Sequence, residues 1–97
     1  MKHLVFEWDK RNENAHVKKH GISFEEARTS FYDENAIQFV DPDHSDEKNR
    51  FILLGLSHKL NTLVVCHCFR EEETTVRIIS ARKADKGETN VYRSHRK

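Results

Sequence analysis

The sequence predicts an α+β domain in which an antiparallel β-meander packs against two N-terminal helices and is followed by a C-terminal helix. Three observations predict it. The second half of the chain holds three long apolar runs joined by short polar turns, the first third holds two helix-start signals, and the composition after Ala84 is helical. Ninety-seven residues suffice for one core of helices on a sheet and not for two, so residues 1–97 are read as a single domain.

His3 to Trp8 reads as a short strand, with Leu4, Phe6 and Trp8 on one face by the two-residue period. Asp9 can cap a helix running to His20, and Gly21 can end it in the left-handed conformation. Ser23-Phe24-Glu25-Glu26 has the spacing of a capping box, so a second short helix starts there. Asn35 to Val40 is a weaker strand candidate. The stretch from Asp41 to Asp46 has loop composition, and its acids are expected to be solvated.

Arg50 to Leu56, Thr62 to Arg70 and Thr74 to Arg82 are the strong strands, and the short turns between them imply antiparallel neighbours. Beyond Ala84 a helix is expected, with Val91 and Tyr92 as its apolar anchors and Gly87 as a weak point.

Charged residues make up 34% of the chain and apolar ones 36%, the balance of a compact domain with a well-solvated surface. No apolar run approaches the roughly 20 residues of a membrane-spanning helix. The opening MKHLVFEWDK lacks a signal peptide's apolar core and cleavage site. A cytoplasmic protein is expected, with no membrane role. Cys66 and Cys68, one residue apart on a strand, point the same way and suit a reducing compartment better than a disulfide.

The net charge of +1 conceals an asymmetry. Residues 25–49 hold eight acids and two bases, a net of −6, whereas residues 77–97 hold seven bases and two acids, a net of +5. A basic end can be a phosphate-binding face or simply the solvated side of a helix.

Several enzyme classes find no support. There is no Gly-x-Gly-x-x-Gly, phosphate loop, Gly-x-Ser-x-Gly elbow or His-Glu-x-x-His. Cys66-His67-Cys68 cannot converge on one ion, because consecutive strand residues alternate in direction. His44 beside Asp41 and Asp43 lacks a further ligand. Neither a metal nor a cofactor is expected.

The last strong strand places arginine inside an apolar run. Regular alternation puts Arg77, Ile79 and Ala81 on one face, and Val76, Ile78, Ser80 and Arg82 on the other. A guanidinium in a strand must meet an anion or reach solvent, so Arg77 is either half of an internal ion pair or a phosphate ligand. Arg50 opens a neighbouring strand, and if it lies near Arg77 the two could clamp a phosphate diester. Glu47, three residues before Arg50, is the best-placed carboxylate to act as a base or to hold the arginines, unless it is a solvated loop residue. Lys19-His20-Gly21 sets an imidazole at a helix C-terminus, where it can contact phosphate, act as an acid or merely cap the helix.

Three blocks then carry a resemblance: Phe6-Glu7-Trp8-Asp9 leading to Lys19-His20-Gly21-Ile22-Ser23-Phe24-Glu25-Glu26-Ala27; Arg50-Phe51-Ile52-Leu53-Leu54-Gly55-Leu56-Ser57; and Arg77-Ile78-Ile79-Ser80-Ala81-Arg82-Lys83-Ala84 with Tyr92 behind it. In order and spacing they resemble the BrnT family of bacterial toxin ribonucleases. The chain departs from the family pattern at Asn12, His16, Lys48 and Asn49.

The resemblance implies a RelE-like fold, metal-independent RNA cleavage and a BrnA-type antitoxin that binds the toxin in a hetero-oligomer. Under that reading Arg50, Arg77 and Arg82 would stabilise charge on the phosphorane, and His20, Glu47 or Lys83 would move protons. Lys19, Arg82, Lys83, Lys86 and Tyr92 would contact RNA. The alternative is a non-catalytic module that binds RNA or protein and acts through a partner.

Overall fold

The computed structural model describes residues 3–44, 50–70 and 74–95, without the side chain of His44. Its elements follow the order β1 (Val5–Glu7), α1 (Lys10–His20), α2 (Phe24–Thr29), a 3-10 turn (Ser30–Tyr32), β2 (Ile37–Val40), β3 (Arg50–Leu56), β4 (Thr62–Arg70), β5 (Thr75–Lys83) and α3 (Lys86–His95). A second 3-10 turn, Pro42–His44, follows β2.

The helix signals act as their chemistry requires. The Asp9 carboxylate accepts from the Asn12 amide at 2.9 Å, and Gly21 ends α1 at φ 76°. Ser23 caps α2 by accepting from the Glu26 amide at 3.0 Å. The reciprocal half of the expected capping box is replaced, because the Glu26 carboxylate accepts instead from Ser57 Oγ at 2.6 Å and Asn61 Nδ2 at 2.8 Å in the β3–β4 turn. The two-way box forms at α3, where the Glu88 amide donates to Asp85 Oδ1 at 2.8 Å and the Asp85 amide to Glu88 Oε1 at 2.9 Å.

Among the described residues the sheet has five strands, in the order β1-β5-β4-β3-β2. Strands β2 to β5 form the expected antiparallel meander, but β1 lies parallel to β5, so the sheet is mixed. Short turns reveal hairpins locally; β1 meets its partner only after most of the chain has intervened, and nothing local sets its direction.

Both faces of the sheet are covered in part. On one, Ile22, Phe24 and Ala27 pack over Leu53, Leu63, Val65, Val76, Ile78 and Ala81, with Phe6 and Trp8 against them. Fully burying a side chain such as Phe24 contributes about 2–3 kcal/mol. On the other, Tyr92 of α3 packs on Leu54 and Val64. The Tyr92 hydroxyl donates to Asp33, whose carboxylate also accepts from the Leu56 amide at 2.9 Å. Gly55 is required where β3 crosses the first 3-10 turn, since a Cβ there would stand 2.9 Å from the Ser30 carbonyl oxygen.

One irregularity changes the reading of β5. The β4–β5 register passes from Cys66 opposite Ser80 to His67 opposite Ile78, leaving Ile79 as the extra residue of a β-bulge. Alternation resets there. Val76, Ile78 and Ala81 share the face covered by α2, and Arg77, Ser80 and Arg82 share the other. The expectation that Arg77 and Arg82 lie on opposite faces is therefore corrected. Asn12 Nδ2 donates to the Ile79 carbonyl at 2.6 Å, so α1 holds the bulged residue.

Candidate active site

With the bulge in place, the cross-strand registers align five polar residues in one row. Glu7 pairs with Arg77, Arg77 with Cys68, and Cys68 with Arg50. The Asp41 amide donates to the Arg50 carbonyl at 3.2 Å, which extends the row to the end of β2. Adjacent strands lie about 4.8 Å apart, so the two arginine backbones stand roughly 10 Å apart with Cys68 between them.

Each arginine of the row is held on its outer side by a carboxylate. Arg77 Nη1 donates to Glu7 Oε2 at 3.1 Å, and Arg70 Nη1 reaches the same oxygen at 2.8 Å. Arg50 Nε lies 3.5 Å from Asp41 Oδ2. The hydrogen bond from Arg77, helped by Arg70, outweighs partial desolvation and holds the Glu7 carboxyl below its usual range. The Arg77 side chain is 38% exposed and that of Arg50 21%. Arg77 is thus half of an internal ion pair, and its side chain also retains an open side.

Asp41 is 3% exposed, so the expectation of a solvated loop acid is corrected; the ladder to β3 draws it inward against Arg50. Cys66 and Cys68 are free thiols. Cys68 shares the face of the arginines, whereas His67 turns to the opposite face. There His67 is fully buried against Phe31 and Phe69, with its ring nitrogens at 3.1 Å from the Val65 carbonyl and from Gln38 Oε1. Burial pushes its pKa down to about 4, so it is a neutral core residue at pH 7.

The remaining residues named from the sequence fall elsewhere. Arg82 lies on the arginine face but is taken by Glu88 of α3 through two bonds of 2.8 Å. His20 stacks on His16 at 5.8 Å, and His16 rests against Phe24, so these contacts lead to the α2-covered side. Burial and the neighbouring charges of His20 and Lys19 hold His16 below the usual histidine range. Lys19 and Lys86 are exposed on α1 and α3, and Lys83 is exposed at the end of β5. Tyr92 is 2% exposed, which corrects its expected place on an RNA surface: its ring anchors α3 to the sheet. Glu47 lies outside the described residues.

The structure thus places Arg50 and Arg77 in one row of one sheet face, two strands apart, and adds Glu7, Arg70, Asp41 and Cys68, none of which was named as a site residue. Only the parallel β1–β5 register and the bulge unite them. The one local signal was that Glu7 interrupts an otherwise apolar strand.

Among the described residues no three histidines, cysteines or acids cluster to hold a metal, and no helix is long and apolar enough to cross a membrane. The arrangement can present two fixed guanidinium groups to an anion lying over Cys68.

A protein-family model described as "Ribonuclease toxin, BrnT, of type II toxin-antitoxin system" matches residues 8–88. The chain belongs to the BrnT family. Its fold is similar to that of the Brucella abortus ribonuclease toxin BrnT, with a TM-score of 0.64 at 18% identity over 89% of this chain and 100% of the other. No curated protein matches. Membership places the chain among ribonuclease toxins of type II toxin-antitoxin systems, which implies an antitoxin partner and an RNA target.

Proposed function

We propose that this BrnT family member is a metal-independent, RelE-like endoribonuclease acting in the cytoplasm and silenced by a BrnA-type antitoxin in a hetero-oligomer. The observation that carries the mechanism is the pairing of Arg50 and Arg77 on either side of Cys68 on one sheet face.

In this reading a substrate 2′-hydroxyl attacks the adjacent phosphorus, the bond to the 5′-oxygen breaks, and a 2′,3′-cyclic phosphate remains. The 2′ proton passes to a base and a proton is delivered to the departing 5′-oxygen. Arg50 and Arg77 stabilise the charge that builds on the non-bridging oxygens, a task for preorganised donors that needs little motion. Glu7 stays ionised and orients Arg77 and Arg70; its depressed pKa suits it poorly to proton transfer near pH 7. Proton transfer falls to Glu47, three residues before Arg50 in the sequence, to His20 or to Lys83. Arg82 supports the site through α3, and Lys19, Lys83 and Lys86 supply positive charge to the RNA backbone.

An RNA oligonucleotide with a single 2′-deoxy substitution tests this directly. The intact oligonucleotide gives 2′,3′-cyclic ends, and the substituted bond resists cleavage. Cleavage of the deoxy bond at an equal rate contradicts the mechanism.

A non-catalytic module that binds RNA or protein is the second reading. It is favoured by the carboxylates of the same chain that lie beside Arg50, Arg77 and Arg82. Binding of RNA without cleavage under any salt condition selects it.

A further inference from the structure

Beside the arginine row, on the same sheet face, lies a cavity of about 290 Å³ whose walls include Phe39, Pro42, Ile52, Leu54, Val64 and Glu88. Its volume lies just below the range of ligand pockets, which run from roughly 300 to 1,000 Å³. Ile52 is two residues beyond Arg50 on β3, faces Phe39 of β2 and stands opposite Cys66 of β4. The cavity therefore begins one strand repeat, roughly 7 Å, from the row.

An apolar cavity with one aromatic wall, next to a pair of guanidinium groups, fits a ligand with a flat ring at one end and a phosphate at the other. Among the described residues of the lining, Glu88 is the one that carries a charge. Its carboxylate is fixed by Arg82 and by the Asp85 amide, and the Arg82 bond keeps it ionised and acceptor-only.

We propose that this cavity binds the nucleobase adjoining the phosphate held by Arg50 and Arg77, stacked on Phe39, and that Glu88 selects bases carrying an exocyclic amino group over uracil. The inference rests on the proposed ribonuclease reading and adds to it the source of base preference. Bases splayed out of single-stranded RNA stack on aromatic side chains and are read along their edges. A carboxylate accepts from the exocyclic amino group of cytosine, adenine or guanine, whereas uracil has carbonyl acceptors at its exocyclic positions and keeps only the ring N3–H as a donor.

Two measurements keep this inference separable from the function on which it rests. In the first, cleavage sites on a mixed-sequence RNA are mapped for the native chain and for Phe39→Ala, a substitution on an edge strand at a residue 41% exposed. The native chain is expected to prefer an amino-bearing base beside the cut, and Phe39→Ala to lose about 10- to 100-fold at those sites, as removal of a stacking ring does. An unchanged pattern and rate overturns the proposal. So does a variant that loses only its complex with an antitoxin, since the cavity would then belong to a protein partner.

In the second, adenosine 3′-monophosphate and uridine 3′-monophosphate are titrated while the methyl resonances of Ile52, Leu54 and Val64 are followed. Larger shifts with the adenosine compound support the cavity even if the native chain cuts no RNA; no shift with either, or equal shifts, overturns it.

Discussion

Arg50 and Arg77 are both in register with Cys68, one from each side, so that two arginines leave one sheet face on either side of a single cysteine, each paired with a carboxylate on its outer side. Their carboxylate partners differ in burial: Glu7 is 36% exposed at the side chain and Asp41 only 4%.

That difference separates two substitutions. Arg77→Ala frees a carboxylate already in contact with water, and thermal unfolding is expected to move by only a degree or two. Arg50→Ala leaves the Asp41 carboxylate buried without its charge partner and should cost on the order of 2 kcal/mol. Equal losses of melting temperature in the two variants argue against the burial difference.

The thiol between the arginines gives a chemical handle. Alkylation with iodoacetamide is expected to block RNA cleavage in the native chain and in Cys66→Ser, but not in Cys68→Ser, which itself stays active. Continued inhibition of Cys68→Ser places the substrate elsewhere.

Glu88 ties Arg82 to the start of α3, which assigns Arg82 a role in holding that helix. Both side chains are over 30% exposed, so after allowance for solvent screening a double-mutant cycle of Arg82→Ala and Glu88→Ala should give a coupling of about 1 kcal/mol. At sites flanked by uracil, where Glu88 reads no amino group, Glu88→Ala and Arg82→Ala should slow cleavage to similar extents. A far larger loss for Arg82→Ala alone makes Arg82 a direct phosphate ligand.

His67 predicts the acid limb of stability. Its folded pKa, about 4, lies below the ordinary 6.5, so between those values the unfolded chain binds a proton that the folded chain refuses. Stability therefore falls as pH drops from 6.5 towards 4, by about 3 kcal/mol in all, and levels off for this group below that. Urea unfolding at pH 7, 5.5 and 4.5 reads this directly, and His67→Phe should flatten that part of the profile. Glu26 adds a second loss at lower pH: burial raises its pKa, but the bonds from Ser57 and Asn61 prevail and hold it below 4.5, so its contribution disappears as pH falls through that range.

Much of this was legible in the sequence where the signal was local. Asp9, Gly21 and Ser23 bounded the first two helices because caps are short-range chemistry, and Arg50 and Leu56 bounded β3 because an apolar run and its turns are contiguous. The arginine row was not legible as a row. It depends on the parallel β1–β5 register, on Asp41 folding back against Arg50, and on the bulge at Ile79, which shifts Arg77 to the face of Arg82. A two-residue period cannot foresee an inserted residue. Of the two apolar anchors expected in α3, Tyr92 holds the helix to the sheet and Val91 stays exposed, so the RNA contact that the resemblance implied for Tyr92 gives way to its anchoring role.

The bulge itself is testable through Asn12. Loss of its bond to the Ile79 carbonyl in Asn12→Ala is expected to cost about 1 kcal/mol, and to slow cleavage more than that small change in folding explains, because the bulge sets the direction of Arg77. Unaltered cleavage in this variant separates the bulge from the site.

The most direct test of the central claim is cleavage of RNA in EDTA by the purified chain and by Arg77→Ala, with circular dichroism on both. The arginine row predicts cleavage by the native chain and a loss of about 10²- to 10³-fold in a variant whose spectrum is unchanged. Full activity in a folded Arg77→Ala, or no cleavage by the native chain, would contradict it.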